Sequence, residues 1–597
     1  MENKTNNDES YCLNPPRQMV FVDCETYPFD TDISTGVEQH VLHLWCAHYI
    51  YIPPGKLAKQ EWKTGTTSGE FWNWLSSRID SHHQTYVYAH NALFDFRVLD
   101  LWQNVSDGFL QLTKTHYDNA KHRKESPLII MEEPPTIIKL YMGYGKKIII
   151  CDTMNYFRMP LDELGTSVGV EKLTMPRFDA HMDQWEKYCR NDVEIIRKAI
   201  MQLVVWCSAN GPNAWRLTAA GIAKSILDMR HAFKVWPSPA DSDDRKFERE
   251  CLYHGLIEVY RKDEMLRETI YHLDVSSLYP SIMLEPVPIE LIASGDQLTL
   301  MELMAADPRC HIAEVLVKTS IEPLPSRGDR NKPRYLNGNY VTVICGDELQ
   351  RAVDMNQVLE VRRWHRYRMK PIYYQFVTDL WSARMDYEQQ GNGAFADLCK
   401  LMLNSSYGKI SQKSGEWQLI DDDIAPKRDE PFGTYFDIDL IHKKLHAYRF
   451  IDGYCWKNCG NQEMEISSPV VTAFIAAGAR ERMHRLRQAA GRENVYYQAV
   501  DALFTNDDGY QKLRRKDEIA RREIGKLKVV EVADRAYFLD KNHYEFGDKV
   551  VCSGLQGSPH TKTESGKYLQ EIWSSGSDYL DNYRFPVVTV HRHEREI

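Results

Sequence analysis

Asp274-Val275-Ser276-Ser277-Leu278-Tyr279-Pro280 follows Tyr271-His272-Leu273, which alternates as a strand does, and leads into Ser281-Ile282-Met283-Leu284, an apolar helical start. A carboxylate at a strand end can hold a divalent cation in a solvent-reached cleft. A tyrosine five residues on, fixed by the proline after it, can floor a pocket beside that cation. The competing reading is a plain strand, turn and helix with one satisfied aspartate. Short motifs of this kind recur by chance, so the rest of the chain decides.

The chain has 597 residues, 43% hydrophobic and 26% charged, a globular composition too long for one core. It contains no run of about 18 apolar residues, so no membrane span is expected. The stretch Met1 to Pro16 is polar with no apolar signal core. Residues 1–18 are therefore expected to be a disordered lead and the protein to be cytoplasmic. The 13 cysteines are scattered and odd in number, as reduced thiols would be. Cys455 and Cys459 lack a second pair at zinc spacing. A net charge of −10 argues against a simple basic nucleic-acid coat but not against acidic metal sites beside a local basic channel. Arg514-Arg515-Lys516, Arg521-Arg522, Lys526 and Lys528 line such a channel or form solvated helix faces.

Further clusters of chemistry lie upstream. Met19-Val20-Phe21-Val22 is an apolar strand ending at Asp23-Cys24-Glu25, with both acids on one face. Tyr86-Val87-Tyr88-Ala89-His90 is a second strand, followed by Asn91-Ala92-Leu93-Phe94-Asp95. Near residue 190, Tyr188 and Asp192 are four apart on a helix and share a face. Asp23, Glu25, Asp95 and Asp192 converging on one site would repel unless cations neutralise them. Two magnesium-like ions clamping a phosphodiester answer that need. Four unrelated surface acids are the bland alternative.

This order of motifs resembles the three-motif 3′–5′ exonuclease of DNA polymerases, a ribonuclease-H-like fold. The resemblance makes Tyr188 a water-orienting group and Lys172, in Lys172-Leu173-Thr174-Met175, an assisting lysine. It makes Asn91, Phe94 and Thr153-Met154 contacts to single-stranded DNA, with Phe94 able to stack on a base. An exposed loop lysine is the alternative for Lys172.

Downstream, Lys400-Leu401-Met402-Leu403-Asn404-Ser405-Ser406-Tyr407-Gly408-Lys409 puts residues 400, 404, 407 and 408 on one helix face. That face offers an ammonium for a triphosphate, an amide, a ring for a base, and a glycine that allows close approach. The run resembles motif B of family B DNA polymerases, Lys-x-x-x-Asn-Ser-x-Tyr-Gly. By the same resemblance the opening run is motif A. It implies Asp274 and the Val275 carbonyl as metal ligands, Tyr279 as a steric gate against ribose, and Ser277 and Leu278 beside the nucleotide. Arg384 resembles the arginine aimed at the triphosphate, although Glu388 stands where a lysine is frequent. Tyr253-His254-Gly255-Leu256 partly matches a Tyr-x-Gly-Gly/Ala link between the two activities, with a plain turn glycine as the alternative.

Asn494-Val495-Tyr496-Tyr497-Gln498-Ala499-Val500-Asp501-Ala502-Leu503-Phe504 reads as strand, turn and strand. Against the family pattern Tyr-x-Asp-Thr-Asp-Ser it keeps the second aspartate as Asp501 and has Ala499 for the first. Asp507 and Asp508 are a less favoured register, since they follow the second strand in an Asn-Asp-Asp-Gly turn. Arg535-Ala536-Tyr537 resembles the Lys-x-Tyr element that touches the primer, with arginine for lysine.

The resemblance implies an α+β multidomain chain: a ribonuclease-H-like exonuclease domain plus a right-hand polymerase of palm, fingers and thumb. The expected division is 19–205 exonuclease, 206–284 first palm segment, 285–370 a first terminal-protein insertion, 371–409 fingers, 410–464 a second insertion, 465–540 second palm segment and 541–597 thumb. The layout resembles the compact protein-primed type of bacteriophages and linear plasmids. The implied activity is DNA-dependent DNA synthesis with 3′–5′ proofreading, on Mg2+ or Mn2+, two ions per site. The implied partners are primer-template DNA and deoxynucleoside triphosphates, with a terminal (priming) protein and a single-strand-binding protein, on a monomer. The rivals are an exonuclease with a failed polymerase site and a DNA-binding scaffold. Retention of Asp274, Tyr279, Lys400, Asn404, Tyr407 and Asp501 beside the one loss at Ala499 argues against both.

Overall fold

The computed structural model describes residues 16–32, 37–53, 57–112, 129–131, 135–142, 146–211, 213–230, 235–320, 322–327, 333–413, 417–420, 425–427, 432–439, 444–459, 463–552, 560–562, 568–573 and 588–595. Nearly all of the expected N-terminal lead lies outside these residues.

The first region is built on strands β1 (Gln18–Asp32), β2 (Val37–Tyr51) and β3 (Gln84–Ala89), helix α1 (Ala92–Val98), strand β4 (Lys146–Asp152) and helix α2 (Met182–Asn210). β1 pairs antiparallel with β2 and parallel with β3, and β3 pairs parallel with β4. The start of β1 is apolar on both faces because both are covered. Met19 and Phe21 pack under α2 with Trp185 and Val193. Val20 and Val22 join Phe71 and Trp72 on the opposite side. The α2 helix runs five residues past the expected boundary at 205.

The central region is a five-stranded sheet around β5 (Ile270–Val275), which leads into the short helix α3 (Leu278–Ile282). The 285–370 insertion follows as a four-stranded sheet with its own core, which includes Val315, Val317, Ile344 and Leu349. It carries helix α4 (Gly346–Asp354). The segment expected as fingers is a helix pair, α5 (Tyr374–Gln389) and α6 (Gly393–Ile410). Then come α7 (Pro469–Ala490), β6 (Val495–Ala499), β7 (Ala502–Asn506) and β8 (Leu527–Ala533). The sheet order is β8, β5, β7, β6 and the strand Ile257–Val259. Leu273 and Val275 pack against Ala479, Met483 and Leu486 of α7. The mixed α+β architecture agrees with the expectation from sequence.

Two expectations need correcting. The segment 541–597 does not form one small thumb: strands His560–Lys562, Tyr568–Trp573 and Val588–Arg595 extend the first sheet, the last pairing with β2. Backbone donors and acceptors along β2 remain available beyond β1, and a strand from the chain end satisfies them. The 410–464 segment packs on the first region: Phe432, Ile451 and Trp456 enter the same core as Val22, and Phe432 meets Trp102 at 6.1 Å. Asp507 and Asp508 do not lie in a turn but open the helix Asp507–Arg515, where Asn506 accepts from the Gly509 amide at 3.0 Å. Among the described residues no helix is long and apolar enough to cross a membrane.

Candidate functional site

The first sheet gathers the upstream acids. Asp23 and Glu25 leave the same face of β1, and Asp192 comes from α2. Asp95 comes from α1, its carboxylate accepting the Cys24 amide at 2.9 Å. Glu25, Asp95 and Asp192 are buried. Burial pushes the Asp23 carboxyl well up, reinforced by Glu25, Asp192 and Asp95 and opposed by Lys172. Burial and then Asp192 raise Glu25 to about 7. Burial also raises Asp95 and Asp192. Lys172 forms an ion pair with Asp192 and sits 4.9 Å over the Tyr188 ring. The other carboxylate oxygen of Asp192 is buried with no hydrogen-bond partner. An acidic cluster with an orphaned buried oxygen is a donor set that fits hard divalent cations. Cys189 was not anticipated there; its sulfur lies 3.6 Å from Asp23 Oδ2.

Two further residues escaped the sequence reading. Asp152, buried at the end of β4, accepts the amides of Asn91, Ala92 and Met154 at 3.1, 3.0 and 2.9 Å. It ties the Asp95 helix to the Thr153-Met154 turn. His90 meets the Thr153 hydroxyl at 2.7 Å through Nδ1 and the Met159 carbonyl at 2.9 Å through Nε2. Burial lowers it to about 4, so it is neutral at pH 7. The carbonyl only accepts, so Nε2 donates and Thr153 donates to Nδ1. Thr153 is fully buried, whereas Met154 and Phe94 are half-buried and Asn91, at φ +66°, is exposed.

The second cluster sits on the central sheet. Asp274 is flanked in register by Ala502 of β7 and Lys528 of β8. The Val275 amide donates to the Asp501 carbonyl at 2.8 Å, holding the β6–β7 tip against the end of β5. Burial, and then Asp274, raise the Asp501 carboxyl to about 6, with Lys528 and Lys400 opposing. Ala499 faces Ala502 across the hairpin, so no third carboxylate enters. Asp274 and Lys528 pair at 3.1 Å. Lys526, grouped with Lys528 as a channel candidate, instead pairs with Asp517 at 2.6 Å and Glu523 at 2.9 Å.

Beside these acids the Tyr279 and Tyr407 rings stack at 4.3 Å and 2°. Burial raises both hydroxyls. On α6, Lys400, Asn404 and Gly408 form an exposed row beside half-buried Tyr407. Among the described residues nothing lies within 4 Å of a Cβ placed on Gly408, so none of them demands glycine there. Arg384 reaches Ser277 Oγ at 3.5 Å and pairs with Glu388 at 3.0 Å. Leu278 is buried in the core, so only its backbone can face a nucleotide. Tyr253 is buried too, its hydroxyl 3.2 Å from that of Thr342. Gly255 lies against the hairpin tip: a Cβ there would meet Val500 at 2.6 Å and the Tyr279 hydroxyl at 3.2 Å. Arg535 is exposed, bonded to the Gly547 carbonyl at 3.1 Å and to Asp548 at 2.7 Å, with Tyr537 half-buried on the strand Ala536–Asp540 that follows it.

A family model described as DNA polymerase type B, organellar and viral, matches residues 176–430. A DNA polymerase of Kluyveromyces lactis is 20% identical over 450 residues, covering 70% of this chain and 41% of the relative. Those of Bacillus phages Nf and phi29 are each 24% identical, over 417 and 433 residues, covering 64% and 66% of this chain and 68% of each relative. The chain therefore spans less than half of the yeast protein. Among solved structures, phi29 DNA polymerase complexed with primer-template DNA and incoming nucleotide superposes with a TM-score of 0.63 at 17% identity, covering 97% of this chain and 99% of that one. The binary complex of the same polymerase with primer-template DNA gives 0.62 at 16% identity.

Proposed function

We propose, for a chain that belongs to the type B DNA polymerases of the organellar and viral kind, that it copies DNA at the central cluster and removes mispaired 3′ ends at the upstream one. The observation that carries this reading is the placing of Asp274 and Asp501 at adjoining strand ends, beside the stacked Tyr279 and Tyr407 rings. Primer-template DNA and nucleotide, bound by phi29 polymerase in the solved complexes, are the partners this reading assigns here.

Divalent cations, Mg2+ or Mn2+ and two per site, would neutralise phosphate charge and acidify the nucleophile. Asp274, Asp501 and the Val275 carbonyl would hold them in the central site. There the primer 3′-hydroxyl attacks the α-phosphate of the incoming nucleotide and pyrophosphate departs. Lys400 balances charge on the triphosphate, Tyr279 fills the space of a ribose 2′-hydroxyl, and Arg384, held by Glu388, steadies Ser277. In the upstream site Asp23, Glu25, Asp95 and Asp192 would hold the ions. Tyr188 orients the attacking water and Lys172 steadies Asp192. Asn91, Phe94 and Met154 hold the unpaired end. The compact layout and the insertions at 285–370 and 410–464 support priming by a terminal protein, with a single-strand-binding protein as helper.

A nuclease with a failed polymerase site is the second reading, favoured by Ala499 and by the ion pair on Asp274. Two variants separate them. Asp274→Ala is expected to abolish primer extension and spare 3′ degradation, and Asp23→Ala with Glu25→Ala to do the reverse. Loss of both reactions from either change, in a folded protein, contradicts the two-site assignment.

A further inference from the structure

Lys528 has no place in the mechanism above, yet among the described residues it is the cation paired with the central carboxylate Asp274. Asp274 and Lys528 are direct cross-strand partners, with Nζ 3.1 Å from Oδ1. On the other side of β5, Asp274 faces Ala502, and Ala502 faces Ala499. The centre is therefore short of one carboxylate and supplied with one ammonium. The upstream centre differs, with four carboxylates and Lys172. The other groups around Asp274 do not cancel Lys528: the His272 ring stacks on Phe504 at 4.3 Å and offers no negative charge, while Lys400 approaches from the fingers and adds positive charge.

We propose that the Lys528 ammonium is a resident cation of the central site, occupying Asp274 in the nucleotide-free protein and yielding it only to a divalent ion that arrives with a nucleoside triphosphate. This rests on the polymerase reading of Asp274 and Asp501. The pair suits such an exchange because both side chains keep solvent contact, 31% for Lys528 and 27% for Asp274. Ion pairs at that exposure are weak, so a chelated divalent ion can displace the ammonium. A lysine on its flexible four-carbon stem can swing aside without moving the sheet. With the ammonium in place, a lone divalent ion meets too little negative charge to stay. Nucleotide binding and metal binding at this site are then coupled through one side chain.

The test is Mn2+ binding followed by electron paramagnetic resonance in the Asp23→Ala/Glu25→Ala protein, with and without a non-hydrolysable deoxynucleoside triphosphate analogue. The parent is expected to bind Mn2+ at this site only with the analogue present. Lys528→Met, of similar length but uncharged, is expected to bind Mn2+ alone about tenfold tighter or more than the parent. Lys528→Arg is expected to behave like the parent, which separates lost charge from lost packing. Equal Mn2+ affinity of Lys528→Met and parent without analogue overturns the proposal. Adding Asp274→Ala checks the reading beneath it: analogue-dependent Mn2+ binding that survives this change overturns both.

Discussion

At the residue scale, Val500 carries the tension of the central site. Its φ of +53° lies in the left-handed region, which costs a β-branched residue about 1–2 kcal/mol. The hairpin keeps it there because the Val500 amide donates to the Leu256 carbonyl at 2.9 Å and its side chain fills the space over Gly255. Neither neighbour of a new Cβ at 255 can give way cheaply, since one is the strained tip next to Asp501 and the other is Tyr279. Gly255→Ala is expected to slow nucleotide incorporation about 100-fold, as a displacement near 1 Å does at such sites, with 3′ degradation intact. Val500→Gly added to it is expected to restore most of the rate, because it removes both the clash and the strain. Single-turnover incorporation on a primer-template measures this; no slowing in Gly255→Ala contradicts the contact. The sequence reading left Gly255 between a domain link and a plain turn glycine. Its reason lies in a contact with the distant hairpin, which no local pattern encodes.

At the element scale, buried ion pairs tie the 285–370 segment to α7, Arg480 with Glu348 the most buried of them. Arg480 of α7 makes two hydrogen bonds to Glu348 of α4, at 2.7 and 2.6 Å, and one to the Tyr253 carbonyl at 2.7 Å. Both side chains are buried. Arg480→Met leaves the Glu348 charge uncompensated and is expected to cost about 3–5 kcal/mol. Arg480→Met with Glu348→Met is expected to recover most of that loss. Urea unfolding of the three proteins checks it, and an additive double variant contradicts the pairing. The strands β5, β6 and β7 and the helix α6 were legible because alternation and four-residue spacing show in the chain itself. The Arg480–Glu348 pair was not, because a charged residue inside a helix reads as solvated until its partner element is known. Asp507 and Asp508 were misread for a related reason: an Asn-Asp-Asp-Gly run suits a turn and a helix start alike.

At the scale of the whole molecule, the two acidic centres occupy separate sheets, and the chain end returns to the first. That return was invisible in sequence because the choice of strand partner depends on which edge is open, not on the strand's own pattern. The upstream centre should also govern how stability follows pH. Glu25 ordinarily titrates near 4.5 and is raised to about 7 in the folded chain. Between those values the folded state binds more protons than the unfolded one. The metal-free protein therefore loses stability as pH rises through that window. A divalent ion takes over the proton's role, so Mg2+ is expected to raise Tm more at pH 8 than at pH 5. An equal rise at both, by thermal scanning with and without chelator, contradicts the metal role of these acids.

On the polymerase reading Asp274 and Asp501 suffice for synthesis although Ala499 stands where a third carboxylate belongs. Incorporation of a single nucleotide by the Asp23→Ala/Glu25→Ala protein, on a preformed primer-template in Mg2+ and then in Mn2+, tests it most directly. A primer lengthened by one nucleotide in at least one metal, and lost when Asp501→Asn is added, is the expected result. An unextended primer in both metals, from a protein that is folded and binds the primer-template, would contradict it.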